Sequence, residues 1–153
     1  YLQYESAATP EHSVVIQEQA VGSEYGLDVL NDLSGKYQTT LVKKKLAMRA
    51  GETDVAVTVD EPVLREVGQR LAESLRHCGN LDVDLFFDGR TAYVLELNCR
   101  FGGGYPFSHV AGANFPAAIV AWLDGKKASS DWLHCRTGVT SVKAIRPIVL
   151  PQS

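Results

Sequence analysis

The stretch that decides the fold is LDVDLFFDGRTAYVLELNCRFGGG, residues Leu81 to Gly104. Leu81, Val83, Leu85 and Phe87 alternate with Asp82 and Asp84. After Asp88-Gly89, a hairpin signal, Leu95, Leu97 and Cys99 alternate with Glu96, Asn98 and Arg100. Successive side chains on a strand point to opposite faces, so each run carries one apolar and one polar face. Pairing the apolar faces brings Asp82, Asp84, Glu96 and Asn98 together on the other side. Opposed residue numbers in an antiparallel pair add to a constant. Asp84 and Glu96 share a face only when that constant is even, and a two-residue Asp88-Gly89 turn makes it odd. The sequence therefore predicts a three-residue loop with Gly89 at positive φ, or a bulge with the same effect. Leu95, Leu97 and Cys99 are expected to face the core.

Outward from this hairpin, strands are expected at Val14–Gln19, Glu24–Asp32 and Tyr37–Leu46, with Ser34-Gly35-Lys36 turning between the last two. A polar loop over Met48–Asp54 and a short strand over Val55–Val59 follow. Asp60 as N-cap, Pro62 in the first turn and a Leu64, Val67, Leu71, Leu75 stripe predict a helix that Gly79 stops. A second helix is expected from an Asn114 cap to Leu123, with Gly125 beyond its end. The tail SVKAIRPIVL reads as a final strand. The fold class is α+β, a mostly antiparallel sheet with two main helices.

A chain of 153 residues, 45% hydrophobic and 22% charged, suffices for one domain with a core. It reads as a fragment, beginning at Tyr1 with Met48 as its one methionine. No apolar run is long enough to cross a membrane. A net charge of −3 gives no general attraction to nucleic acid or anionic lipid. Lys43-Lys44-Lys45 is the one basic run. On a strand it projects to both faces, which suits a local site or a solvated edge. Cys78, Cys99 and Cys135 are odd in number and widely spaced, so they read as reduced thiols of a cytoplasmic protein. The pairs His77-Cys78 and His134-Cys135 match no common zinc spacing.

Carboxylates and an amide oxygen on one face suit a hard cation such as Mg²⁺, which shares its shell with water and phosphates. Arg100 beside them makes sense with a phosphate between, because guanidinium binds phosphate oxygens with paired donors. By itself Glu-x-Asn-x-Arg also fits a solvated strand face. Asp82 and Asp84 tilt the balance, since facing like charges destabilise a sheet unless neutralised. Gly102-Gly103-Gly104 suits a loop that approaches a ligand closely or adopts positive φ. It is neither GxxxxGK[ST] nor GxGxxG.

Three segments, IQEQAVGSEYGLDVL, NLDVDLFF and LELNCR, give the chain a resemblance to the C-terminal half of an ATP-grasp domain. The group it resembles is that of the carbamoyl-phosphate synthase large subunit, and the resemblance runs from about Val14 to Gly125. It implies that residues 1–13 are the edge of a missing N-terminal subdomain and 14–153 the C-terminal ATP-grasp subdomain. It implies ATP and Mg²⁺ (or Mn²⁺) as ligands: Glu18 and the Ala20 backbone at the adenine, Glu24 at the ribose, Asp84, Glu96 and Asn98 on the metal, and Arg100 as the catalytic contact to the transferring phosphate or the acyl phosphate. Lys45 and Arg49 fall where relatives place residues near the phosphates, and His109 and Asn114 are candidates for substrate or for structure. Many relatives have proline where this chain has Cys99, a change that reads as packing. The implied activity is ATP-dependent joining of a small carboxylate to an amine or ammonia through an acyl phosphate. The implied partners are these small molecules and the missing N-terminal part, with a homo-oligomer left open and neither nucleic acid nor membrane involved. The fragment alone is expected to bind ATP weakly and not to turn over. The alternatives are a non-catalytic nucleotide-binding module and a metal-dependent phosphohydrolase.

Overall fold

The computed structural model describes residues 16–145 and 147–149. Six antiparallel strands form one sheet in the order β5-β4-β1-β2-β3-β6. They are β1 (Ser23–Asn31), β2 (Tyr37–Arg49), β3 (Glu52–Val59), β4 (Gly79–Phe87), β5 (Ala92–Asn98) and β6 (Thr140–Val142). Helix α1 (Pro62–Leu75) covers one face. Helices α2 (Tyr105–Val110) and α3 (Phe115–Leu123) cover part of the other. The class is α+β, as strand signals that cluster with two helices between them imply. No helix among the described residues is long and apolar enough to cross a membrane.

Each sheet face has its own core. Leu27, Val29, Val42, Leu81, Val83, Leu85 and Phe87 pack beneath Leu64 and Ala72 of α1. Leu30 and Leu41 pack under Tyr105, Phe115 and Ala118 on the opposite face. Among the described residues, only one end of that second face is covered. Following β1 from Leu30 towards its start, the same face passes to Asp28, Gly26 and Glu24.

The decisive hairpin keeps its expected parity by the bulge. Asp84 opposes Glu96 and Asp82 opposes Asn98, both pairs adding to 180, whereas Leu85 opposes Val94 and Phe87 opposes Ala92, adding to 179. The register shifts between Asp84 and Leu85, so the extra residue, Leu95, corrects a four-residue loop of even length. Gly89 has φ +95°, and Asp88 accepts from the backbone N–H groups of Arg90 and Thr91 at 2.8 and 2.6 Å.

Several expectations are corrected. Leu95 and Leu97 are exposed at 45% and 41%, and Cys99 is exposed too, because α1 lies over β1 and β2 and stops short of edge strand β5. Val14 and Val15 lie outside the described residues, and 16–19 form no strand. The polar loop over Met48–Asp54 is a β2–β3 hairpin whose turn is Ala50-Gly51, both at positive φ, the geometry of a tight two-residue turn. The helix N-cap is Glu61, without a side-chain cap bond, because Asp60 pairs with Arg65 at 2.8 Å instead. Helix α1 ends at Leu75 with Arg76 left-handed, before Gly79. It buries Leu64, Gly68 and Ala72 rather than the full leucine stripe, and Leu75 is half exposed. Residues 105–110, where the sequence gives no helix signal, form α2, while among the described residues the tail strand covers Thr140–Val142. Asn114 caps α3 as expected, its Oδ1 accepting from the Ala117 N–H at 3.2 Å.

Candidate functional site

The uncovered end of the second sheet face carries the polar residues. Register places Asn98 and Glu96 on β5, Asp82 and Asp84 on β4, Asp28, Gly26 and Glu24 on β1, and Lys43 and Lys45 on β2 across one surface. Lys44 points to the other face, its ammonium 5.9 Å from the Tyr25 ring centroid. A cleft of 210 Å³ opens above this surface, walled among others by Lys43, Lys45, Asp82, Asp84, Glu96 and Arg100, with Gly103 and Gly104 over it.

Charge alternates within the cleft. Lys45 bridges Glu24 at 2.7 Å and Asp84 at 2.8 Å. Burial works against its charge, but the hydrogen bonds to Asp84 and Glu24 outweigh that and hold its pKa above the ordinary lysine value. Lys43 is 1% exposed and pairs with the fully buried Asp28 at 2.5 Å. Ser108 of α2, also fully buried, donates to the same Asp28 oxygen at 2.5 Å, while Asp28 Oδ1 is buried without a partner among the described residues. Asp82 is 8% exposed, and burial pushes its pKa to about 6. Lys43 opposes that shift, and Asp84 and Asp28 add to it.

The glycine loop lies directly on these groups. A Cβ on Gly102 would stand 2.0 Å from Asp82 Oδ2, and one on Gly104 would stand 2.7 Å from Lys43 Cε. None of the three glycines has positive φ, so close approach alone accounts for Gly102 and Gly104.

Of the expected site residues, Asp84, Glu96 and Arg100 meet in the cleft. Asn98 stands beside it, its amide donating to Glu96 Oε1 at 2.7 Å. Arg100 lies past the end of β5, its Nη1 3.6 Å from Asp82 Oδ2. Glu18 and Ala20 line a separate cavity of 320 Å³ with Tyr93, and Glu24 is tied to the cleft by Lys45. Lys45 belongs to the cleft. Arg49 instead pairs with Asp54 at 2.7 Å outside it, and His109 is exposed near the Tyr105 hydroxyl. Asp28, Lys43, Ser108 and Tyr93 were not picked out from sequence. Pairing β1 with β2 through the Ser34–Lys36 turn was the available signal for Lys43, since it sets Lys43 and Lys45 on the face of Asp28 and Glu24.

Among the described residues no three acids, histidines or cysteines stand together as a metal cage. The donors present still suit a hard cation: two opposed carboxylates and an adjacent amide oxygen, with room for phosphate oxygens to complete the shell.

A family model described as "ATP-grasp in the biosynthetic pathway with Ter operon" matches residues 11–146. The chain belongs to the ATP-grasp family. Solved structures agree on the fold. A complete multifunctional pyruvate carboxylase from Rhizobium etli is 16% identical, with a TM-score of 0.59, over 77% of this chain and 13% of that one. The biotin carboxylase domain of a thermophilic 2-oxoglutarate carboxylase, bound to bicarbonate, is 17% identical, with a TM-score of 0.55, over 77% of this chain and 29% of that one. The ATP-grasp chain described here thus spans less than a third of the length of either.

Proposed function

We propose that this chain is the ATP- and Mg²⁺-binding half of an ATP-dependent carboxylate–amine (or ammonia) ligase of the carbamoyl-phosphate synthase type. The observation that carries this reading is the opposed Asp84–Glu96 and Asp82–Asn98 pairs beside Lys43, Lys45 and Arg100 in one cleft. Acids to hold a cation and cations to hold an anion, alternating over a few ångströms, suit a metal–phosphate complex better than either ion alone.

In this reading Asp84, Glu96 and the Asn98 carbonyl would hold Mg²⁺, which when bound neutralises charge on the phosphate oxygens. Arg100 contacts the transferring phosphate. Glu18 and the Ala20 backbone meet the adenine in the cavity closed by Tyr93, and Glu24, oriented by Lys45, faces the ribose. A carboxylate oxygen of the acid attacks the γ-phosphorus and ADP leaves. The amine nitrogen then attacks the acyl carbon, the C–O bond to phosphate breaks, and the nitrogen loses a proton. Backbone at Gly103 and Gly104 lets the reacting groups approach without side chains between.

ADP release by the full-length protein, supplied with candidate acids and amines, tests this. Glu96→Ala is expected to lower turnover at least a hundredfold, and unchanged turnover would count against the reading. Tight ATP binding with no phosphate release would favour a non-catalytic nucleotide module. Phosphate release from a phosphorylated substrate without ATP would favour a phosphohydrolase.

A further inference from the structure

Beside the cleft lies a larger groove of 690 Å³, between the Ala50-Gly51 turn, α2 and β6. Its walls are largely apolar, with Pro106 and Val110 from α2 facing Val142 and Ile145 from β6 and its continuation. Val110, Val142 and Ile145 are exposed at 57%, 62% and 82%. Small-molecule sites commonly measure roughly 300–1,000 Å³ and are mostly apolar with a few placed polar groups.

The groove adjoins the cleft, and Glu52 lines both. Lys143 marks the seam. It lines the groove, its ammonium lies 2.9 Å from Glu52 Oε2, and it stands 3.4 Å from the position a Cβ on Gly103 would take. The Glu52 side chain is 74% exposed, so this pair is held weakly and an incoming carboxylate can exchange with it.

We infer that the groove seats the acid substrate of the ligase proposed above, and that this acid has an apolar body. The inference rests on that ligase reading. The carboxylate replaces that of Glu52 on Lys143, at the edge of the metal cleft, and the hydrocarbon part lies against Pro106, Val110 and Val142. Charge decides which substrate this is. The exposed Glu52 can yield Lys143 to an incoming carboxylate, a place that an amine cannot take, while Arg49, also in the groove wall, is held by Asp54 at 2.7 Å. The apolar walls decide the body. A polar group on the acid that lies against Pro106, Val110 and Val142 loses its water without a partner there, while each added methylene gains roughly tenfold in selectivity.

The test uses the full-length protein, measuring Mg·ATP-dependent ADP release with hydroxylamine as acceptor. The acids are acetate, butyrate, hexanoate and phenylacetate against succinate and glutamate. kcat/KM is expected to rise along the apolar series and to exceed that of the polar diacids at least tenfold. Lys143→Met and Val110→Asp are each expected to raise the KM for the acid at least tenfold and leave the KM for Mg·ATP unchanged, with Lys143→Arg retaining acid affinity. Preference for succinate or glutamate overturns the inference and leaves the ligase reading intact. So does a Val110→Asp variant with a lowered Tm and an unchanged acid preference, which makes the groove a packing surface. ADP release that no acid stimulates removes the ligase reading and this inference with it.

Discussion

Asp82 shows how far one position departs from its apparent meaning. In the sequence it is the first acid of a polar strand face, equivalent to Asp84. In the fold it lies beneath Gly102, largely buried, with its pKa raised to about 6 by burial first and by Asp84 and Asp28 in addition. Folding therefore disfavours its charged form. Between about pH 4 and pH 6 the folded protein binds more protons than the unfolded chain, so this group's contribution to stability falls as pH rises through that window. Asp82→Asn is expected to stabilise the protein at pH 7.5 by on the order of 1–3 kcal/mol and to give no gain at pH 4. Urea unfolding in EDTA at the two pH values checks this, and equal gains at both would assign the effect to packing instead. Gly102 supplies the steric counterpart. Gly102→Ala drives a methyl into the Asp82 carboxyl, with an expected loss of about 1–3 kcal/mol. Gly103→Ala, whose nearest neighbour is the flexible Lys143 ammonium at 3.4 Å, is expected to be nearly neutral in the same measurement.

At the scale of elements, the hairpin's polar face was legible because parity constrains it. With Asp84 and Glu96 on one face, any even loop needs a bulge, and the bulge at Leu95 follows. Its apolar face was not legible, because burial of Leu95, Leu97 and Cys99 depends on where α1 docks, and nothing in residues 81–104 encodes that. Helix α2 escaped notice because six residues with Pro106 near the start show too little periodicity, and because its anchor is distant in sequence. Ser108 reaches 80 residues back to Asp28. That anchor joins α2 and the glycine loop to β1 and β2 through groups shut away from water. Lys43→Met leaves a buried carboxylate without its cation and is expected to cost about 3–5 kcal/mol. Ser108→Ala removes one donor and is expected to cost about 1–3 kcal/mol. The double variant Asp28→Asn, Lys43→Met is expected to be more stable than Lys43→Met alone, because the uncompensated charge is gone. Chemical denaturation of the three variants checks the order, and a double variant no more stable than the single would show that the buried charge is not what costs.

Across the whole molecule, the family assignment and the acid face are within reach of sequence, and so is Lys45 through the resemblance, while Lys43 is not. A Lys-Lys-Lys run shows no face until its strand is paired, and pairing with β1 turns Lys43 and Lys45 into the positive half of a mixed-charge site. That mixture sets how the molecule treats ATP with and without metal. The net charge is −3, and Asp82, Asp84 and Glu96 sit in the cleft wall, so, with Glu52 as a fourth acid in that wall, a free ATP polyanion meets repulsion that Lys43, Lys45 and Arg100 offset only in part. A divalent cation removes charge from both sides at once. Chelation is therefore expected to weaken ATP binding to the full-length protein at least tenfold, measured by calorimetry in EDTA against excess Mg²⁺. Glu96→Gln is expected to show a smaller difference between the two conditions, since under the proposed role it loses metal affinity and it also presents less negative charge to bare ATP. An affinity that does not change on chelation, in wild type or variant, would place ATP away from the acids of β4 and β5 and separate the nucleotide from the cleft altogether.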